Sequence, residues 1–191
     1  MTTIPAALSP TEARALFRAG TSMPSAGGAV GYTQANLIAV PADWAYDVLL
    51  FAQRNPRPYP VLDVTDLGSA AAVLAPTADL RTDLPRYQIW EHRQLIEEPT
   101  DVTDRWPDDL VSFLTWCSFT FETALAQAGV PLRHVEQARN VAMHVTNREC
   151  RPAGRAGVLG LRGHHPGRAD GLPAALRDHS CPGAHVHHRR A

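Results

Sequence analysis

Apolar positions in this chain fall into short periodic stretches separated by loops rich in Pro, Gly and Thr. Ala13, Leu16 and Phe17 have the spacing of one helix face. Ser9 precedes them as an N-cap, Pro10 takes the first helical position, and Glu12 stands three residues after the cap, which makes a capping box. Gly20 ends this helix. Residues 21–31 read as loop. Asn36 to Val40 is a short apolar run that predicts a buried strand. Pro41 opens a second helix, with Trp44, Val48 and Phe51 at helical spacing. It stops at Arg54-Asn55-Pro56-Arg57-Pro58-Tyr59-Pro60, where three prolines force an extended path. Val61 to Val64 predicts a second strand.

Residues 76–86 form a polar loop. Tyr87–Trp90 and Gln94–Ile96 alternate around a turn at Glu91–Arg93, so a hairpin is expected. Trp106-Pro107-Asp108-Asp109 is expected to start a further helix, with Leu110, Phe113 and Leu114 on its buried face. Phe119 to Ala128 continues as helix and Gly129 ends it. Val141 to Val145 is a last strand candidate. Helices and strands mix without strict alternation, and no repeat interrupts them.

Composition narrows the class. A chain of 191 residues with 45% hydrophobic positions suits one globular domain. No run of about 18 apolar residues exists, so no membrane span is expected. The first residues lack a basic start followed by an apolar run, and no secretory signal is expected. Three widely spaced cysteines, Cys117, Cys150 and Cys181, favour neither a disulfide framework nor a zinc site, so a reducing, cytoplasmic setting is expected. Every basic residue other than histidine is arginine. Residues 1–150 hold 11 Arg against 17 Asp and Glu, whereas residues 151–191 hold 7 Arg against 2 Asp, with six of the nine histidines. Two kinds of sequence join near residues 150–158.

No phosphate-cradling glycine loop, HExxH or GxSxG motif is present. Five polar clusters sit in loops, where function concentrates. Gln34 and Asn36, in Gly31-Tyr32-Thr33-Gln34-Ala35-Asn36, offer donors and acceptors before a strand, or a locally bonded turn. Arg54 and Asn55 either cap their helix or present an arginine to a carboxylate on a stiff loop. In Asp79-Leu80-Arg81-Thr82-Asp83-Leu84-Pro85-Arg86-Tyr87, an extended path would put Asp79, Arg81 and Asp83 on one side. Arg81 could then hold a carboxylate while an Asp moves protons; a surface ion-pair loop is the alternative. In Trp116-Cys117-Ser118-Phe119-Thr120-Phe121-Glu122, Ser118 resembles an N-cap between two helices. A thiol and a hydroxyl at a helix start can bind an anion, or Cys117 is merely buried. Glu122 would have a raised pKa if buried. The fifth cluster joins Arg133-His134 with Thr146-Asn147; a solvated pair near a strand end is its plainer reading.

Together these segments resemble the putative hydro-lyase family, uncharacterised protein family 0317, also found as a domain of mitochondrial D-glutamate cyclase. The resemblance runs in order through GYTQAN, RNPRPYP, DLRTDLPRY, DDLVSFLTWCSFTFE, GVPLRH and TNRECRPAG, over about residues 10–155. The family usually has Cys at Tyr59, Gly at Trp116 and Tyr at His144. The resemblance implies an α/β fold, a three-layer main domain with a smaller α/β subdomain, whose C-terminal part is incomplete here. It implies a lyase that loses water from a small carboxylated substrate. In D-glutamate cyclase the amine of D-glutamate attacks its own side-chain carboxyl, giving 5-oxo-D-proline, and that chemistry requires no cofactor or metal.

On this reading Asp83 or Glu122 is the base, and Ser118 with neighbouring N–H groups, beside Cys117, holds the developing oxyanion. Arg81, Arg54, Asn55, Gln34, Asn36, Tyr87, Arg133 and Asn147 form the substrate-binding set. The alternative is a module that binds a carboxylated metabolite without turnover, or an inactive fragment. No nucleic-acid or membrane partner is expected, and a homo-oligomer is left open. His185, His187 and His188 could chelate a metal adventitiously.

The domain is expected to run over residues 1–155. Residues 156–191, with their Gly, Arg, His and Pro, are expected to be a disordered tail read out of frame. Codons for Leu159–Arg168, shifted by one nucleotide, can encode a strand close to the family pattern. A natural basic disordered tail is the alternative.

Overall fold

The computed structural model describes residues 4–92, 94–117, 119–137, 144–154, 162–165 and 184–187. Its first helix, α1 (Pro10–Arg18), closes the predicted capping box. The Glu12 N–H donates to Ser9 Oγ at 3.3 Å, and the Ser9 N–H donates to the Glu12 carboxylate at 2.8 Å. Two of the helix's otherwise unpaired N-terminal donors are thereby satisfied. The apolar stripe buries Ala13 and Phe17 against Ile4, with Leu8 and Met23 alongside.

Strand β1 (Ala35–Pro41) leads directly into α2 (Ala42–Arg54), with Pro41 at the N-cap. Strand β2 (Val61–Val64) follows the proline-rich segment, and β3 (Tyr87–Glu91) and β4 (Gln94–Glu97) form the predicted hairpin. A 3-10 turn covers Thr103–Arg105.

The helix expected after Trp106 is instead strand β5 (Leu110–Trp116). Leu110, Phe113 and Leu114 fit helical spacing, but the run Leu-Val-Ser-Phe-Leu-Thr-Trp is apolar on both faces and rich in β-branched and aromatic residues. That is the composition of a central strand, which periodicity alone does not separate from a buried helix. Five of its seven residues are buried. Asp108 and Asp109 therefore end a turn, and Asp109 O accepts from the Ala42 N–H at 2.8 Å.

Helix α3 (Phe119–Gln127) ends at Gly129 as predicted, and the short α4 (Arg133–Glu136) comes next. The strand expected at 141–145 begins later: β6 spans His144–Glu149, and residues 138–143 lie outside the described part. The segment expected to be a disordered tail contributes two short strands, β7 (Arg162–His165) and β8 (Ala184–His187). The rest of that segment beyond Gly154 lies outside the described residues.

The main sheet has the order β2-β5-β1-β8-β3-β4, and β6 and β7 form a separate antiparallel pair. β1 and β5 run antiparallel, from Ala35 opposite Trp116 to Pro41 opposite Leu110. β8 pairs in parallel with both β1 and β3 and takes up backbone donors and acceptors between them. Helices with a mixed sheet give the expected α/β class.

Register places Leu37 opposite Leu114 and Ala39 opposite Ser112 on one face of the sheet. These residues join Tyr87, Ile89 and Leu110 in the main core, closed by Ala72, Leu80 and Val102 from the loops. Each large apolar side chain fully buried there contributes about 1.5–3 kcal/mol of transfer free energy. Phe113 and Val40 are buried on the opposite face, so both strands are covered on both sides. At the exit of β5 the chain turns straight into α3.

Candidate active site

The turn from β5 into α3 is tied to the loop before β1. The Cys117 N–H donates to Gln34 O at 3.1 Å, and the Gln34 N–H donates to Thr120 Oγ1 at 3.1 Å. The Gln34 side-chain amide donates to Ser25 O and Gly28 O, both at 3.0 Å. Gln34 thus anchors the 25–34 loop onto the start of α3. Cys117 is buried with Phe119 against Ala26. Trp116 packs edge-on against Phe121, with ring centroids 4.5 Å apart. The element before this turn is a strand, so Ser118 does not join two helices; Ser118 itself lies outside the described residues.

Glu122 sits in the first turn of α3 and meets His134 of α4, with Oε1 and Nε2 2.9 Å apart. Their side chains are only 13% and 17% exposed, respectively, so water screens the pair weakly. The contact is an ion pair when the ring is protonated, and His134 acts on Glu122 through charge first and a side-chain hydrogen bond second. Burial pushes the Glu122 carboxyl above the usual carboxylate range, and His134 opposes that shift. Arg133, one residue earlier, is exposed at the start of α4.

The other predicted residues stand elsewhere. Residues 79–84 form a turn, not an extended path, because the Asp83 N–H closes onto Asp79 O at 3.0 Å. Asp79, Arg81 and Asp83 consequently do not line one side. Arg81 grips Asp79 through two hydrogen bonds of 2.9 and 2.8 Å, which lowers the Asp79 pKa. Asp83 is buried and faces α1: Arg18 donates to both carboxylate oxygens at 2.8 and 2.6 Å. The Asp79 N–H and the Thr82 hydroxyl add bonds of 2.9 and 3.1 Å, and Arg14 Nε lies 3.7 Å away. A carboxylate so fully occupied has little capacity left for substrate protons.

Tyr87 is fully buried, its hydroxyl donates to Leu80 O at 2.9 Å, and burial raises its pKa strongly. Asn36 is half-buried in β1 opposite Thr115. Asn147 lies within β6. Arg54 and Asn55 at the end of α2 hold residues 151–152: Arg54 Nη1 donates to Pro152 O at 2.6 Å, and the Asn55 side chain bonds both backbone groups of Arg151. Tyr59 packs edge-on against Phe51 in the same patch.

Residues 111–159 match the sequence model described as D-glutamate cyclase. A protein of Streptomyces avermitilis named "Putative hydro-lyase" is 61% identical over 172 residues, covering 90% of this chain and 63% of that protein. A relative of the same description from Streptomyces coelicolor is 68% identical over 149 residues, covering 78% of this chain and 54% of its own. One from Rhodococcus opacus is 63% identical over 147 residues, covering 77% and 56%. The chain is similar to these relatives over most of its length, and to the D-glutamate cyclase model over residues 111–159.

The chain spans a little over half the length of those relatives. The family-matched segment encloses Cys117, Ser118, Glu122, Arg133, His134 and Asn147. Of the residues singled out in the sequence, the structure joins Gln34 with Cys117 at the start of α3, and places Glu122 in that same helical turn. It leaves Arg81, Asp83 and Tyr87 in the 79–87 segment, and Arg54 and Asn55 on α2.

Two members of the site were not anticipated. His134 was read as solvated, yet the turn at Gly129 folds α4 back so that it reaches Glu122. Thr120 supplies its hydroxyl to the Gln34 N–H. A histidine a dozen residues beyond a buried glutamate, across a helix-ending glycine, was the available signal for the first. Among the described residues no group of three His, Cys, Asp or Glu side chains is placed to hold a metal, and no helix is long and apolar enough to cross a membrane.

Proposed function

We propose that this chain carries part of a hydro-lyase site for a small carboxylated substrate, and that D-glutamate, closed to 5-oxo-D-proline with loss of water, is that substrate. The observation that carries the reading is the shielded Glu122–His134 pair at the start of α3, inside the family-matched segment. The substrate nitrogen bonds to the side-chain carboxyl carbon, one carbon–oxygen bond breaks, and two protons pass from nitrogen to the departing oxygen. Glu122 takes and returns those protons; its raised pKa brings it nearer to neutral pH, where such exchange is efficient. Backbone N–H groups at the first turn of α3, with Ser118, stabilise the developing oxyanion. Buried Cys117 backs that turn. The exposed Arg133 guanidinium is the nearest carboxylate anchor in sequence to the pair, with Asn147 and Asn36 as further polar contacts. Gln34 anchors the turn before α3, whereas Arg54, Asn55, Arg81, Asp83 and Tyr87 are engaged elsewhere in the fold and are given no part in this step.

The cytoplasm is the proposed setting. The test is a progress curve for 5-oxoproline from D-glutamate, followed by a panel of other small amino and hydroxy acids. A second reading, a module that binds a carboxylated metabolite without turnover, draws on the chain's 54–63% coverage of its relatives. Calorimetry showing binding with no product would favour it.

A further inference from the structure

The reaction proposed above needs a base that is ionised when substrate arrives, yet Glu122 lies where burial favours its neutral form. Among the described residues, the neighbour that offsets this burial is His134. It comes from a different element, α4, and its Nε2 lies 2.9 Å from Glu122 Oε1. The other titratable side chains of α4, Arg133 and Glu136, are exposed to water. Within α3 the described titratable group is Glu122 itself. The contact is shielded from water, and charge is the larger of the two ways in which His134 acts on the carboxyl. His134 therefore acts on Glu122 through charge more than through a hydrogen bond that fixes its orientation.

We propose that His134 is a positioning residue for Glu122: its imidazolium holds the carboxylate ionised inside the shielded turn and so sets the pH at which the base is ready. This inference rests on the reading of Glu122 as the base. As protons move, the pair behaves as one unit. A proton taken from substrate nitrogen resides on the Glu122 carboxylate and is returned to the leaving oxygen, so the pair ends each turnover in its starting state.

The test is an NMR titration of the whole chain that needs no substrate. Glutamate is labelled with 13C at the side-chain carboxyl, and the Glu122 signal is assigned by its loss in Glu122→Gln. In His134→Gln the Glu122 midpoint is expected to move up by about one pH unit or more, the effect of removing an opposite charge at this distance. His134→Lys, which keeps a cation, is expected to move it back down. If His134→Gln does not fold, His134→Asn, a smaller neutral replacement, decides by the same Glu122 titration.

Unmoved midpoints would overturn the proposal even if 5-oxoproline forms. Shifted midpoints with no turnover on any substrate would leave the electrostatic coupling standing and overturn the role assigned to it. With turnover, the acidic limb of the kcat/KM profile is expected to move up with the Glu122 midpoint in His134→Gln. A uniform loss of activity without that shift would mark His134 as merely structural.

Discussion

Asn55 and Arg151, 96 residues apart, are joined like two strands of a sheet. The Asn55 Nδ2 donates to Arg151 O at 2.9 Å, and the Arg151 N–H donates to Asn55 Oδ1 at 2.7 Å. The same Nδ2 also donates to Phe51 O at 2.8 Å, capping the end of α2. Ala153 then buries against Phe51, and Gly154 lies so close to Asp47 that an added Cβ would clash with its carboxylate. One buried amide therefore fastens the segment after β6 onto α2. This explains why Asn-Pro-Arg-Pro and Arg-Pro-Ala-Gly, far apart in the chain, belong to one physical unit.

Asn55→Ala is expected to cost about 1–3 kcal/mol, because it leaves the part-buried N–H and carbonyl of Arg151 without their partner. Asn55→Asp keeps the acceptor for the Arg151 N–H and should lose less. Urea unfolding of the three proteins at one pH gives the order; equal stability of Asn55→Ala and the parent would refute the clamp.

The Asp83 cluster predicts an asymmetry. Removing Arg18 leaves a buried carboxylate short of its bidentate partner, with Arg14 Nε still 3.7 Å away. Removing Asp83 leaves Arg18 half-exposed and free to reach water. Exposure of Arg18 lets water screen the pair, so Arg18→Ala is expected to destabilise the fold by less than breaking a fully buried pair would. Asp83→Ala should cost less than Arg18→Ala, and a double-mutant cycle measures the coupling between them.

Much of this was readable in the residues, and the exceptions have physical causes. The capping box at Ser9 and Glu12 was legible because every interaction in it is local. The β3–β4 hairpin was legible from alternation. β5 was not, because a strand apolar on both faces has no period to read. Asp83 was misplaced for a different reason: its partners Arg14 and Arg18 lie on α1, and no local spacing announces a contact across 65 residues. Cys117, Ser118 and Glu122 could be picked out as chemistry-bearing, but His134 gains its meaning only from the fold that returns α4 to α3.

Gly68 offers a backbone test. Its φ is +71°, its N–H donates to Leu110 O at 2.7 Å, and an added Cβ would lie 2.6 Å from Asp108 O. Gly68→Ala combines a left-handed conformation with a clash against backbone, so a loss of about 1–3 kcal/mol is expected. Thermal melting should show it; a melting temperature equal to the parent's would contradict the close approach of this loop to β5.

The raised Glu122 pKa makes a signed prediction. Folding favours the protonated carboxyl at this position, so its contribution to stability is present in full below the ordinary glutamate pKa. It is lost as pH rises through the higher folded value. Glu122→Gln keeps a neutral group at all pH values. The parent should therefore lose stability relative to Glu122→Gln as pH rises through that window, as read by denaturant unfolding. The opposite slope would mean that the charge pair outweighs burial.

The central claim is that Glu122 serves as the base of a water-losing cyclisation. Its most direct measurement is the rate of 5-oxoproline formation from D-glutamate by the parent chain and by Glu122→Gln. The account predicts steady product formation by the parent and a loss of about 100-fold or more in the variant, the usual contribution of a positioned acid–base group. Equal rates in the two proteins, or no product from D-glutamate, would contradict it.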